Sequence, residues 1–581
     1  MTKLKLTFAF LLLSVICSAQ APSWQWAKKI GGAGEDVPKA IAVDSAGNVY
    51  SAGLFSGTAD FDPGAGIYNL TSVSGSQDIY ISKLDSAGNF IWAKAIGGLN
   101  DDQANGIAVD DSGNVLVTGE YFKTVDFDPG PGVYNMTVPT SPFGATSEIF
   151  ILKLNNSGDF IWVRSMGGPQ SDVGEAITAD DSGNVYTTGE FYYTSDLDPG
   201  PGTLYLGGSA ATNIFVIKLD NSGSLVWAKS FNSTSAGFAS YGRSIAVDSH
   251  HDVYTTGATG APFDFDPGPG TSSGTGSGGS GTDIFISKLD SIGNFAWTDV
   301  FGGGGDDGGN GVTVDGSGNV YATGYFRGLV DFNPGTGIYH LNDGIFINKL
   351  NAAGNFVWAK SLTGVYTGEG KSIHIDQQGN VCTGGFFSGP LDFDPNVGIF
   401  NMSAAPAYDC AFISKLTNSG NFLWAAQSTG PSGANGYGNA MTIDPWGNSF
   451  ITGYYYYPKM LFGPTTLTNS DNTGSTTDIF IAKLDTTVIH ISGAGVDNLR
   501  MEDEVATISP NPFSSQTAIT FGKEQKHTTI KIMDATGREL RTVNFTGLEF
   551  IIQKEDLKEG LYFVQITDEN KNVVNKKIIV Q

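Results

Sequence analysis

The phrase Asp78–Trp92 reads DIYISKLDSAGNFIW, and the chain repeats it. Two alternating apolar runs flank a D-S-A-G turn, which is the pattern of a β-hairpin. One arm carries Lys83 and the other Trp92. The pair recurs as Lys153/Trp162, Lys218/Trp227, Lys288/Trp297, Lys349/Trp358 and Lys415/Trp424, with nine residues from Lys to Trp each time. Lys483 has no Trp after it, and Trp26 has no Lys before it.

A second hairpin, IAVDSAGNVYSAG at Ile41–Gly53, precedes each of these. Its turn Asp and closing Gly recur as Asp44/Gly53, Asp110/Gly119, Asp180/Gly189, Asp248/Gly257, Asp315/Gly324, Asp376/Gly385 and Asp444/Gly453. Asp opens such a turn by accepting backbone amide hydrogens, and Gly takes its positive φ. Each unit therefore holds four strands, IAVD, NVYSAG, DIYISKLD and NFIWAK, and tandem four-stranded units predict a β-propeller. The last unit supplies three strands through Lys483, and the Trp26 strand supplies the fourth. The expected fold is all-β: a seven-bladed β-propeller closed by the N-terminal strand, which removes the open sheet edges.

Composition agrees with many short strands. Gly is 79 of 581 residues without a Gly-X-Y period, and aromatics make up 12%, which excludes collagen and disorder. The formal charge is −26, the wrong sign for a nucleic-acid partner. Residues 1–19 read as a signal peptide. Lys3 and Lys5 precede an apolar Leu6–Ile16, and Cys17-Ser18-Ala19 offers small residues for cleavage. The propeller is expected over 24–485 and a linker over 486–505. Residues 506–581 are Lys-rich and Gly-poor and read as a small C-terminal β-sandwich. No further stretch is long and apolar enough to cross a membrane, so no integral membrane segment is expected after cleavage. Cys382 and Cys410 fall in one repeat on neighbouring arms and are a candidate disulfide in an oxidising compartment.

The connection between the second and third strands has its own motif: DFDPGAG at Asp60, DFDPGPG at Asp126, DLDPGPG at Asp196, DFDPGPG at Asp264, DFNPGTG at Asp331 and DFDPNVG at Asp392. Five copies hold two carboxylates that offer oxygens to Ca²⁺. These are Asp60 with Asp62, Asp126 with Asp128, Asp196 with Asp198, Asp264 with Asp266, and Asp392 with Asp394. The motif lacks the third Asp and the distal Glu of a full calcium loop, and the competing reading is an Asx-stabilised turn. Trp26, Trp92, Trp162, Trp227, Trp297, Trp358 and Trp424 occur once per unit, which suits packing between blades. No G-x-S-x-G, H-E-x-x-H or P-loop occurs. The expectation is no enzyme and no cofactor beyond calcium, with a ligand on the face that carries the long loops. The rival reading is a polysaccharide hydrolase or lyase. Odd-one-out polar residues at one end of the central channel favour the enzyme. Aromatics on the outer loops, such as Tyr454–Tyr457, favour binding.

Over about residues 24–485 the repeat resembles the SBBP β-propeller repeats of bacterial surface proteins. The Lys/Trp phrase is also similar to the tryptophan-docking repeats of quinoprotein dehydrogenases, which adds a quinoprotein-like enzyme to the rival reading. The C-terminus resembles the type A sorting domain of the type IX secretion system through Pro510, Asn511, Pro512 and Phe513, the run Asp534–Gly537, and Gly560 and Tyr562. The resemblance implies a Bacteroidetes-type bacterium. It also implies passage through the periplasm and outer membrane by the type IX machinery, to the cell surface or the medium. A glycan or a surface protein is the expected ligand.

Overall fold

The β-branched and aromatic alternation of the repeat forms strands wherever it occurs. The computed structural model describes residues 22–485 and 506–580, apart from 145, 235–238, 261, 275–280, 365–367, 405–407, 431–434, 472–473, 510–514, 535–537, 555–556, 559 and 568–572. The leader, the linker, Pro510–Phe513 and Gly537 lie outside the described residues. The chain divides into two compact units, Met1–Ile489 and His490–Gln581.

In the first unit the described strands build seven antiparallel sheets with a four-stranded core each, and three of them are extended to six strands by a following hairpin. The first sheet runs Asp36–Val43, Val49–Ser56, Gln77–Leu84 and Phe90–Ile96. The inner strands of the next six begin at Gln103, Val173, Ser240, Gly308, Gly368 and Gly436. Each inner strand lies against the next, and Gly436–Ile443 lies against Asp36–Val43. The ring is therefore continuous. The seventh sheet takes its outer strand, Ser23–Gly32, from the other end of the chain. Trp26 pairs with Lys483 there, as Trp92 pairs with Lys83 in the first sheet.

The core lies between sheets. Ile79 and Ile81 of the first meet Ile107 and Val117 of the second, all buried. Each outer-strand Trp leans on the next sheet. Trp92 Nε1 donates to Asn156 O at 3.0 Å, and Trp358 Nε1 donates to Asn418 O at 3.0 Å. The turn glycine beside that carbonyl has φ near +78°, and a Cβ on Gly158 would come within 3.2 Å of the Trp92 ring. Lys83, Lys153, Lys349 and Lys483 reach across the same seam, to Asn156, Asn221, Asn418 and Ser86. Lys83 Nζ sits 4.9 Å from the Tyr50 ring centroid and donates to Asn156. Lys153 pairs with Asp110 at 2.8 Å.

The D-x-D-P-G segments form small hairpins that reach the preceding sheet. Asp60 pairs with Gly31 of the closing strand, and Asp392 pairs with Thr363. Their central residues, including Phe61, Phe127 and Phe393, are fully buried. Cys382 and Cys410 are buried and unbonded. They pair with Lys415 and Phe387 respectively. That separates them by five rungs, roughly 17 Å along the strand, against a disulfide reach of about 7 Å between Cα atoms.

In the second unit Gln516–Asp534 is the central strand of a five-stranded sheet. It pairs with Glu539–Gln553 along its length, with Ala506–Ser509 at one half and with Gly560–Thr567 at the other. Ile519, Ile530, Val564 and Ile578 form its core. The Tyr562 hydroxyl donates to Lys558 O at 2.8 Å, and Gly560 holds a φ of +150°.

The seam contacts set a testable order. Trp162 is 7% exposed, whereas Trp446, on an inner-hairpin turn, is 57% exposed. Trp162→Ala is expected to cost about 3–5 kcal/mol of unfolding free energy, and Trp446→Ala about 0.5 kcal/mol. Equal shifts in denaturant midpoint would refute the seam assignment.

Candidate binding site

The inner strands carry a feature that repeats in every sheet. The pairing of first and second strands shifts between Pro38 and Ala40, Ala104 and Gly106, Gly174 and Ala176, Gly242 and Ser244, Gly309 and Gly311, Gly370 and Ser372, and Gly438 and Ala440. Each shift is a β-bulge, which leaves one residue outside the ladder and re-aims its side chain. The bulged residues are Lys39, Asn105, Glu175, Arg243, Asn310, Lys371 and Asn439, and all seven line a central cavity of ≈ 860 Å³. Each inner strand starts at the long-loop end and finishes at its turn aspartate, so the bulges lie towards the long loops. At the other end the channel walls carry Ala42, Val43, Ala108 and Val109 beside Thr178, His374 and Thr442.

The bulged residues divide into two groups. The asparagines stitch the ring. Asn105 Nδ2 donates to Gly174 O at 3.1 Å, Asn310 Nδ2 to Gly370 O at 3.0 Å, and Asn439 Nδ2 to Pro38 O at 2.8 Å. Each bond joins one sheet to the next. Lys39, Glu175, Arg243 and Lys371 are the charged remainder.

One rung towards the loops lies a second ring, on cross-strand pairs that differ in every sheet. They include Gln103/Glu120, Val173/Glu190, Gly308/Tyr325, Glu369/Phe386 and Tyr437/Tyr454. The two rings join into an arc. The Arg243 guanidinium lies 5.3 Å from the Tyr241 ring and 6.0 Å from the Tyr325 ring, and Nη1 donates to Asn310 Oδ1 at 2.9 Å. Asn310 reaches Glu369 at 3.2 Å, and Glu369 pairs with Lys371 at 2.7 Å. Lys371 Nζ sits 5.6 Å from the Phe386 ring, which meets Tyr437 edge-on at 5.0 Å. Tyr437 stacks on Tyr454 at 5.0 Å.

On the facing side are the carboxylates. Glu175 is half-buried. Burial pushes its carboxyl up to about 7, against the pull of Arg243 and Lys39. Glu190 is 7% exposed, and its Oε2 has no hydrogen-bond partner. Burial first, and then the charge of Glu175, hold Glu190 well above the usual carboxylate range.

The D-x-D-P-G carboxylates stand elsewhere, in the hairpins, and there the structure shows the Asx turn. Asp60 Oδ1 accepts from Asp62 N at 3.0 Å and Tyr68 N at 2.9 Å, and Asp62 Oδ1 accepts from Gly64 N at 2.8 Å. The next three copies repeat this. Asp126 Oδ1 accepts from Asp128 N at 3.1 Å, and Asp128 Oδ1 accepts from Gly130 N at 2.8 Å. Asp196 Oδ1 accepts from Asp198 N at 3.1 Å, and Asp198 Oδ1 accepts from Gly200 N at 2.8 Å. Asp264 Oδ1 accepts from Asp266 N at 3.1 Å, and Asp266 Oδ1 accepts from Gly268 N at 2.7 Å. In the last copy Asp392 Oδ1 accepts from Asp394 N at 3.0 Å, and Asp394 Oδ1 accepts from Asn396 N at 3.0 Å.

This geometry is that of the Asx-stabilised turn, the reading that competes with calcium. One oxygen of Asp62, Asp128, Asp198, Asp266 and Asp394 is already bonded to a glycine or asparagine amide, and a cation would have to use the other. Among the described residues, no three or more Asp, Glu, His or Cys side chains gather as a metal cluster at these or any other positions. Ca²⁺ takes six to eight oxygens, so a cation at one such pair would draw the rest from backbone carbonyls and water.

The inner-hairpin turn aspartates are spent in the same way, as where Asp44 accepts from Ala46 N, Asn48 N and the Tyr50 hydroxyl. Neither the bulged ring nor the row of buried aspartates at the inner-strand starts is marked by the repeat phrase. Asp102 is one of that row and accepts from Gly98 N and Phe122 N at 2.8 Å. Lining up the residues five and eight places before each turn aspartate would have exposed both.

Burial also raises Asp36, Asp102 and Asp172 to about 7. A carboxyl whose folded pKa exceeds its unfolded value stabilises the fold below the unfolded pKa and loses that contribution as pH climbs through the folded one. These groups and Glu175/Glu190 therefore withdraw stability between about pH 4 and 7. The unfolding midpoint is expected to be higher at pH 5 than at pH 8, and Glu190→Gln should narrow that difference. A midpoint that rises from pH 5 to 8 would contradict the assignment.

Known proteins match the chain in parts. Residues 25–54, 91–120 and 161–190 match the family described as Beta-propeller repeat (SBBP), and residues 507–581 match the Secretion system C-terminal sorting domain. An uncharacterized WD repeat-containing protein of Acanthamoeba polyphaga mimivirus is 25% identical over 69% of this chain and 34% of its own length. The endo-acting ulvan lyase of Formosa agariphila is 32% identical over 16% of this chain and 18% of its own. The chain thus spans about a third or less of these relatives. Among solved structures, PorZ, a surface component of the type IX secretion system of Porphyromonas gingivalis, is 12% identical at a TM-score of 0.17. It is covered in full by 96% of this chain. A fungal alcohol oxidase of the AA5 family is 12% identical at a TM-score of 0.35, over 97% of this chain and 100% of its own. Neither score carries an argument. The sorting domain sends the chain through the type IX system to the cell surface or the medium, and no helix among the described residues is long and apolar enough to cross a membrane. The chain carries SBBP β-propeller repeats and, over residues 507–581, a secretion system C-terminal sorting domain.

Proposed function

We propose that the seven sheets form a seven-bladed β-propeller over residues 24–485, which acts as an exported, non-catalytic binding module. Its ligand seats at the long-loop mouth of the central channel. Residues 1–19 direct the chain into the periplasm. After the linker 486–505, residues 506–581 form a small β-sandwich read by the type IX machinery. One observation supports the binding role. The repeat is kept at the turns, the seams and the hairpins, and is abandoned at the two rings of the channel mouth. A residue that every copy shares serves what every copy does, and the residues that differ serve the assembled ring.

A second reading has its own support. Glu175 and Glu190 are raised carboxyls side by side in a cavity, and a carboxyl protonated near neutral pH can deliver a proton. That favours a polysaccharide hydrolase or lyase on the same scaffold.

The purified chain, displayed to arrays of glycans and of bacterial surface proteins with Ca²⁺ or EDTA, separates these readings. Capture is expected. It should be lost in a double variant carrying Glu190→Ala and Arg243→Ala, and kept in Asp62→Asn and Asp128→Asn. New reducing ends or unsaturated products from soluble polysaccharide would move the assignment to the enzyme. Capture abolished by EDTA would bring the D-x-D-P-G loops into the site.

A further inference from the structure

The channel mouth has a chemical signature beyond being polar. This inference rests on the binding reading above and names the ligand class. Cations are scarce in a chain with 32 Lys and Arg against 58 Asp and Glu. Three of them, Lys39, Arg243 and Lys371, nevertheless line one cavity. Arg243 and Lys371 are tied into the arc by Asn310 and Glu369. Lys39 is exposed and makes no hydrogen bond or ion pair among the described residues. An exposed ammonium held on a bulge and facing a channel is a ready partner for an anion.

The opposite wall offers acceptors. The Glu190 side chain is more than nine-tenths buried, and its Oε2 has no partner. A buried carboxylate oxygen without a donor costs free energy, and a ligand hydroxyl in the channel would satisfy it. Glu175 stands beside it on the neighbouring strand. A ligand suited to both walls carries a carboxylate at one edge and hydroxyls at the other. The third element is aromatic. Tyr437 and Tyr454 are stacked and part-exposed, and Tyr456 lies edge-on to both, at 6.5 and 5.5 Å. This platform joins the charged arc through Phe386 and Lys371. A tyrosine platform presents an apolar face with polar edges, which matches the C–H face of a pyranose ring.

We propose that the channel mouth is a subsite for an acidic glycan. The carboxylate of one uronic acid unit meets Lys39, with Arg243 and Lys371 adding positive charge, its hydroxyls meet Glu175 and Glu190, and a neighbouring unit lies on the Tyr437–Tyr454 pair. A peptide ending in a free carboxylate would use the cations and leave the platform and Glu190 idle.

Isothermal titration of the full chain tests this with three probes: an oligogalacturonate hexamer, the neutral cellohexaose, and an unmodified tetrapeptide with a free C-terminus. The hexamer is expected to bind most tightly. Lys39→Ala and Tyr454→Ala should each weaken it by roughly tenfold. Lys39 makes no hydrogen bond or ion pair among the described residues and acts on Glu175 only through its charge, so Lys39→Ala should move the unfolding midpoint far less than Trp162→Ala. Trp446→Ala, on the turn face, should leave binding unchanged. Equal binding of cellohexaose, with no response to Lys39→Ala, would overturn the acidic-sugar assignment. Preferential binding of the tetrapeptide would do the same. Array capture of proteins alone would sink this inference and spare the binding module, whereas capture of nothing on either array would sink both.

Discussion

A ring of sheets is only as stable as its last seam, and here that seam is made by strands from opposite ends of a long segment. Ser23–Gly32 must find Asp478–Asp485 before the seventh sheet is complete and joined to the first. Until it does, two sheet edges stay open, with unpaired amides and carbonyls that invite other strands. The pairing places Trp26 against Lys483 and sends Trp26 Nε1 to Ser86 O of the first sheet at 3.3 Å. The closing strand therefore completes one sheet and locks onto the next in the same step. It also carries Gly31, which receives the Asp60 hairpin. The Trp, the Lys, the turn glycine and the D-x-D-P-G hairpin are the recurring parts of that one joint.

The channel mouth is arranged differently. A carboxyl held above its usual range, with an oxygen that has no donor, opposes folding, and a second one beside it opposes folding further. Asp36, Asp299 and Asp478 also carry a buried oxygen without a donor, whereas the turn aspartates are well supplied. These accept two amide hydrogens, an asparagine amide and often a tyrosine hydroxyl. Glu190 differs from Asp36, Asp299 and Asp478 in lining the central cavity, where a partner can reach the oxygen that the fold leaves without a donor.

Much of the architecture was legible from spacing. The nine-residue intervals gave hairpins, and the orphan Trp26 and Lys483 pointed to a shared sheet. The site was not legible, for a physical reason. A reading based on IAVD starts the inner strand at Ile41, yet the strand begins at Asp36. The bulge at Lys39 breaks the two-residue alternation there, so the preceding residues look like loop. Glu175, Arg243 and Lys371 were lost in that break, and so was the buried Asp102. The D-x-D-P-G motif drew attention to oxygens instead, because sequence shows carboxylates without showing which amides they face. Its phenylalanine, buried in each copy that has one, was the better guide to its role.

The bulge also explains how a strict repeat can host an irregular site. A residue in the ladder is constrained on both sides by neighbouring strands, and one in the seam is constrained by the next sheet. A bulged residue makes neither contact through its backbone pairing, so its side chain can change with little cost to the sheet. Seven bulges around one axis give seven such positions, all aimed at the same volume. Three are asparagines that stitch sheet to sheet. The other four are two lysines, an arginine and a glutamate. Had these served the ring, the asparagine solution was available at each of them. Their departure from it is the ground on which we propose recognition chemistry at the centre of the ring.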